Sequence, residues 1–172
     1  MIPYLHASGK DVVMNDHMTN SSPIIYTIGH GRHAFDYFLE LLRRHEIAFL
    51  CDVRSVARSR WPQYNGANLA RALEANGIGY EHLPECGGKV VAPPEELGRG
   101  LDRIVELGSE MRVAIMCSES KPLTTDTRTP RANCHRVGLL STPLKQRGAS
   151  IIHILPDGET MQCDETRIAS IW

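Results

Sequence analysis

The chain has 172 residues, 42% of them hydrophobic and 23% charged, with a formal net charge of −1. That balance fits one globular domain with a true core and excludes a disordered or low-complexity chain. It also excludes a broad electrostatic grip on nucleic acid, and no apolar run approaches the roughly eighteen residues of a membrane span.

Residues 1–22 carry no periodic apolar pattern and read as a loose leader, so residues 23–172 are expected to form one α/β domain. The leader has no basic segment, apolar block and cleavage site in series, and so is not a sorting signal. Ile24 to Ile28 then reads as a buried strand. Phe35, Phe38, Leu39 and Leu42 follow at helical spacing, in a helix ending near His45. Ala48 to Val53 is a second strand. Leu69, Ala72 and Leu73 mark a short helix that stops at Asn76-Gly77.

Gly79 to Leu83 is the third strand. Pro93-Pro94 open a helix with Leu97, Leu101, Ile104 and Val105 along one face. Val113 to Cys117 is the fourth strand, and a polar loop runs from Ser118 to about Arg131. Val137, Leu140 and Leu144 share a helix face, which Pro143 must bend or end. Ile151 to Leu155 is the fifth strand. A turn at Pro156-Asp157-Gly158-Glu159 leads toward a short hairpin strand near Met161. Strands alternating with helices predict a three-layer, Rossmann-like fold: a mostly parallel five-stranded sheet with helices on both faces.

Ligands of such sheets bind beyond the carboxyl ends of the strands. Gly29-His30-Gly31 follows the first strand. Its glycines allow a tight turn, and His30 either caps, bonds across the sheet or transfers protons. The run is not a dinucleotide-binding loop. Asp52 ends the second strand and is followed by Arg54, Arg58 and Arg60, three arginines within seven residues. They repel one another unless an anion or carboxylates lie between them, and Asp52 is suited to orient one guanidinium fork. Trp61 and Tyr64 come next, placed either to pack in the core or to stack on a base or sugar.

Fifteen of the nineteen basic residues are Arg, a residue suited to phosphate and carboxylate. Glu119 lies just past the fourth strand, as a general base or a partner for Arg. Cys134-His135-Arg136 begins the next helix, where the helix terminus and neighbouring cations lower a thiol pKa. Adjacent residues on a helix point about 100° apart, so His135 is poorly placed as a base for Cys134. Arg136 reads as an anion ligand beside it.

The five cysteines, Cys51, Cys86, Cys117, Cys134 and Cys163, form no close pair. A disulfide framework and a zinc knuckle are therefore not expected, and a reducing, cytoplasmic setting fits. His30, His82, Glu85, Cys134 and His135 show no metal-ligand spacing, so neither metal nor cofactor is expected.

Taken in order, these runs resemble an uncharacterised family, the domain of unknown function 488. The resemblance covers about Ile24 to Gly158. Its marks are Thr27-Ile28-Gly29-His30, Asp52-Val53-Arg54-Ser55 with Ser59-Arg60, Gly77-Ile78 with Tyr80, and Leu83-Pro84 with Gly87-Gly88. Cys117 with Glu119, the Cys134-His135-Arg136 triplet and His153-Ile154 complete the series. Ala57 stands where the family pattern usually has proline, and the Glu119-to-Cys134 stretch, with Thr124-Thr125-Asp126-Thr127, is longer than usual. The resemblance implies a fold and a site location but no reaction.

Three functions compete. The first is an enzyme on a phosphate-bearing substrate, a nucleotide or nucleic-acid fragment. Arg54, Arg58, Arg60 and Arg136 would hold the anion, Asp52 and Tyr64 would orient it, and Glu119 with His30 or His135 would move protons. The second is a non-catalytic module binding an anionic ligand, with the loop from Ser118 to Arg131 closing over it. The third is thiol chemistry of sulfurtransferase or phosphatase type. Against the third, the loop after Cys117 is long and lacks the glycines of a tight anion cradle.

Overall fold

The computed structural model describes residues 22–123 and 134–162. The leader through residue 21 and the Thr124-Thr125-Asp126-Thr127 run lie outside those residues. Six strands form one sheet: β1 (Ile24–Gly29), β2 (Phe49–Asp52), β3 (Gly79–His82), β4 (Val113–Cys117), β5 (Ser150–Ile154) and β6 (Thr160–Gln162). Their order is β3-β2-β4-β1-β5-β6. The first five are parallel, and β6 pairs antiparallel with β5 through Ile154 opposite Thr160. The expected C-terminal hairpin is thus a sixth strand, and the α/β architecture is as the alternating pattern predicts.

Side chains alternate across each strand, so each face gathers its own core. Tyr26, Ile28, Leu50, Ala114 and Met116 face α1 (Phe35–Arg44) and α2 (Gly66–Glu74), packing on Phe38, Leu42, Leu69 and Leu73. Ile25, Cys51, Val53, Val113 and Ile115 face α3 (Pro94–Glu110) and α4 (Thr142–Gln146), packing on Leu101, Ile104, Leu140 and Leu144. Helix charges match the backbone dipoles. Asp36 lies in the first turn of α1 with Arg43 and Arg44 in its last, and Glu95 and Glu96 follow Pro94 in α3.

The first two crossovers use one face and the next two use the other. The connections leaving β1 and β4, which lie side by side, therefore run in opposite directions. This is the topological switch point, where open α/β sheets place a crevice.

The segment before α4 departs from ordinary winding. Arg136–Ser141 forms a π turn, and Ser141 Oγ donates to the Arg136 carbonyl at 2.9 Å. Pro143 sits in the first turn of α4. Its missing N–H and bulky ring disfavour an α turn at this point, and the widened winding accommodates both. Helical structure continues through Pro143 to Gln146.

Candidate functional site

The strand ends divide the site by the same alternation. Asp52 and His30 fall on the α1–α2 side, and Thr27 and Cys117 on the α3–α4 side. On the first side, Asp52 is fully buried and holds Arg54 in a fork. Arg54 Nε donates to Oδ1 at 2.8 Å and Nη2 donates to Oδ2. Tyr80 Oη also donates to Oδ2, at 2.8 Å, while Arg54 Nη2 donates to the Tyr64 carbonyl at 2.9 Å. The fork of Arg54, expected to bind an anion, is thereby occupied within the fold.

Tyr64 is fully buried, stacks on His30 at 4.3 Å between centroids, and donates its hydroxyl to the His33 carbonyl at 3.0 Å. The expected ligand-orienting tyrosine is thus part of the core. His30 Nδ1 donates to the Gly31 carbonyl at 3.1 Å, leaving Nε2 buried with no partner among the described residues. Burial and the Arg54 charge lower the His30 pKa to about 4.

On the other side, Arg136 is completely buried. Its Nη2 donates to the Glu119 carbonyl at 2.6 Å and its Nη1 to Thr27 Oγ1 at 3.3 Å, both neutral oxygens. Its Nε is buried with no hydrogen-bond partner among the described residues, and its charge lies close to the sulfurs of Cys134 and Cys117. A guanidinium removed from water without an anionic partner costs several kcal/mol. Thr27 Oγ1 also bonds His153 Nδ1 at 2.8 Å, and burial with the Arg136 charge lowers the His153 pKa to about 4.

Cys134 stands at the start of the helical segment and is only 8% exposed, and its exposed part lines a cavity. The neighbouring Cys117 and the Arg136 charge pull its pKa down to about 5, against the effect of burial. Cys117 moves the opposite way: burial and the neighbouring Cys134 push its thiol well up. Its thiol donates to Glu119 Oε2 at 2.9 Å. Burial opposes ionisation of Glu119, but this Cys117 bond and the nearby cations hold its carboxyl below the ordinary range. The two cysteines and Val137 form their own small cluster.

The cavity has a volume of about 300 Å³. Arg54, Ser55 and Arg58 line it from the segment after β2, Gly88 and Lys89 from the segment after β3, and Ser118 and Glu119 from the segment after β4. Cys134 and His135 close it. Lys89 N–H donates to Ser55 Oγ at 3.0 Å, tying two of those segments together. His135 Nε2 donates to the Val53 carbonyl at 2.7 Å, which leaves Nδ1 as the acceptor of the neutral ring. A Cβ on Gly29 would overlap the Glu119 carbonyl, and one on Gly88 would lie 2.6 Å from His135 Cβ. Both positions need the small residue for close approach.

The structure therefore brings Glu119, Cys134, His135, Arg58 and part of Arg54 to one cavity, with Arg136 beneath it. Arg60 is not among the lining residues; its guanidinium lies 5.5 Å from the Trp61 ring centroid. His30 is buried behind the site. Sequence reasoning missed Lys89 and the pairing of Cys117 with Cys134. The signal for the second was a cysteine ending β4 with Glu119 two residues on.

Cys117, Glu119 and His135 each place a donor atom within 4.8 Å of the others. Hydrogen bonds occupy Cys117 Sγ and His135 Nε2 internally, while the mixed S, O and N set is chemically of the kind zinc accepts. A second hollow, of about 540 Å³, lies at the β3 edge, lined by Phe49, Ala70, Glu74 and Tyr80 among others. Its lining offers no thiol and no basic side chain.

Among protein families, the one described as domain of unknown function DUF488 matches residues 34–92, and the chain resembles that family. The matched segment runs from α1 through the Asp52–Arg54 pair to the loop carrying Gly88 and Lys89. No curated protein and no solved structure matches the chain. Among the described residues, no helix is long and apolar enough to cross a membrane.

Proposed function

We propose that the protein is a thiol enzyme, with Cys134 attacking an electrophilic centre of a small anionic substrate. The observation that carries this reading is the fully buried Arg136, whose hydrogen bonds among the described residues go to neutral oxygens and whose charge lies close to the Cys134 sulfur. A sulfur held as thiolate at a cavity wall is a strong nucleophile, and a helix start adds to its stabilisation. Arg58 and Lys89 supply exposed positive charge at the same cavity, suited to phosphate or another oxyanion. His135 Nδ1 and Glu119 are the groups placed to move protons.

The first step forms a bond from Cys134 Sγ to the electrophilic phosphorus or sulfur, and the leaving group departs with the electron pair. Transfer to water or a thiol then regenerates the thiolate. A reducing, cytoplasmic setting suits such a residue, and a nucleotide or nucleic-acid fragment is one source of the phosphate. Four arginines converging on one anion is less well supported, because Arg54 and Arg136 have partners within the protein.

The test is intact-mass and peptide mass spectrometry after brief incubation with phosphate esters, phosphoanhydrides and sulfane donors such as thiosulfate. A phosphoryl or sulfane increment on Cys134, absent in Cys134→Ser, supports the reading and identifies the transferred group. Turnover of any of these substrates undiminished in Cys134→Ser would overturn it.

A further inference from the structure

We infer that Cys117 and Cys134 form a two-thiol centre, in which Cys117 closes a disulfide onto Cys134 after a hydroperoxide has oxidised it. This rests on the reading of Cys134 as the reactive sulfur and assigns a chemical part to its neighbour.

The two side chains pack in one small buried cluster with Val137, apart from the two main cores. They differ in access. Cys134 reaches the cavity, whereas Cys117 is fully buried at the end of β4. A small oxidant therefore meets Cys134 first, and oxidised Cys134 is the electrophile that Cys117 touches. The other described cysteines, Cys51 and Cys86, lie in the separate core between the sheet and α3. The pairing is specific because it is built by contact between β4 and the helical segment after residue 133, not by closeness in sequence.

In the first step the Cys134 sulfur attacks the distal oxygen of the hydroperoxide. The O–O bond breaks, and the alkoxide leaves and takes up a proton, giving a sulfenic acid. In the second step Cys117 Sγ attacks the Cys134 sulfur. The S–S bond forms, the S–O bond breaks, and hydroxide leaves as water with the Cys117 proton. Glu119 Oε2, already 2.9 Å from Cys117 Sγ, lies on that proton's path. A dithiol reductant returns two electrons and two protons and restores both thiols. Closure removes the nucleophile, so the centre also switches the proposed activity off.

The test treats chelator-dialysed protein with a stoichiometric amount of hydrogen peroxide and maps peptides without reduction. The expected product is a Cys117–Cys134 link, with iodoacetamide labelling of Cys134 falling by at least about tenfold and recovering with dithiothreitol. Cys117→Ser should give no link and accumulate dimedone-trappable sulfenic acid on Cys134. Overoxidation of Cys134 without a link in the wild-type chain, or a link from Cys134 to Cys163, would overturn the inference. Labelling of Cys134 before oxidation reports separately on its reactivity, so failure of the disulfide is distinguishable from failure of the thiol-enzyme reading.

Discussion

Arg54 lies against Asp52 with both side chains withdrawn from water, Nε 2.8 Å from Oδ1 and Nη2 bonded to Oδ2. The pair fastens the end of β2 to the loop that reaches Arg58, because Arg54 also holds the Tyr64 carbonyl. Removing one partner leaves a buried charge unmatched. Asp52→Asn should therefore lower stability by about 3–5 kcal/mol. In urea titrations, the double variant Asp52→Asn/Arg54→Met should lose less than the sum of the single losses. Additive losses would show that the two residues act independently.

The reactivity of Cys134 should persist into mild acid. With its pKa lowered to about 5, the thiolate is the main form at every pH above that value. Iodoacetamide labelling followed against pH should reach half its plateau near pH 5, and Arg136→Met should move that midpoint upward. A midpoint near the free-cysteine value of about 8.5 would refute the assignment.

Acid should weaken the fold through two buried histidines. His30 and His153 both have folded pKa values near 4, below the ordinary 6.5, so the unfolded chain binds more protons between those limits. Stability then falls as pH drops from about 6.5 toward 4, by roughly 2–3 kcal/mol for each histidine. His153→Asn, which keeps a polar group facing Thr27, should flatten the slope of denaturation midpoint against pH. An unchanged slope would remove His153 from the account.

Arg58 and Lys89 are exposed and tied to the cavity rather than the core. Arg58→Ala or Lys89→Ala should leave the unfolding midpoint nearly unchanged and weaken binding of an anionic substrate about tenfold each. Rising salt should shrink the difference. Equal KM or Kd values for wild type and both variants would place the anion elsewhere.

Gly29→Ala tests how closely the β1 end packs on the segment after β4. The added methyl meets the Glu119 carbonyl, which accepts from Arg136. Displacing that carbonyl should cost about 1–3 kcal/mol and slow Cys134 labelling at pH 6. A variant with wild-type stability and labelling would show that the contact yields freely.

Much of the fold was legible because buried parallel strands write themselves as short apolar runs, and β1, β4 and β5 do so clearly. The site was legible as a location, since polar residues recur at the carboxyl ends of those strands. What each residue does there was less so. Arg54 looked available because its partner Asp52 is two residues away, and sequence does not tell a guanidinium facing a cavity from one folded back. Tyr64 looked like a stacking platform, yet alternation places His30 and α1 around it. The grouping of Cys134 with Cys117 was not legible, because the two come from distant segments of the chain. Helical spacing turns His135 away from Cys134, and its ring is bonded instead to the Val53 carbonyl.

A π turn holds one residue more than the α turn it replaces. Residues before Arg136–Ser141 are therefore rotated by about 100° against those after it, relative to an unbroken helix. That offset lets Leu140 and Leu144 stay on the sheet while the guanidinium two residues past Cys134 tucks under the thiol. Shortening the segment by a single position would realign the helix and turn the Arg136 guanidinium away from Thr27 and the Glu119 carbonyl.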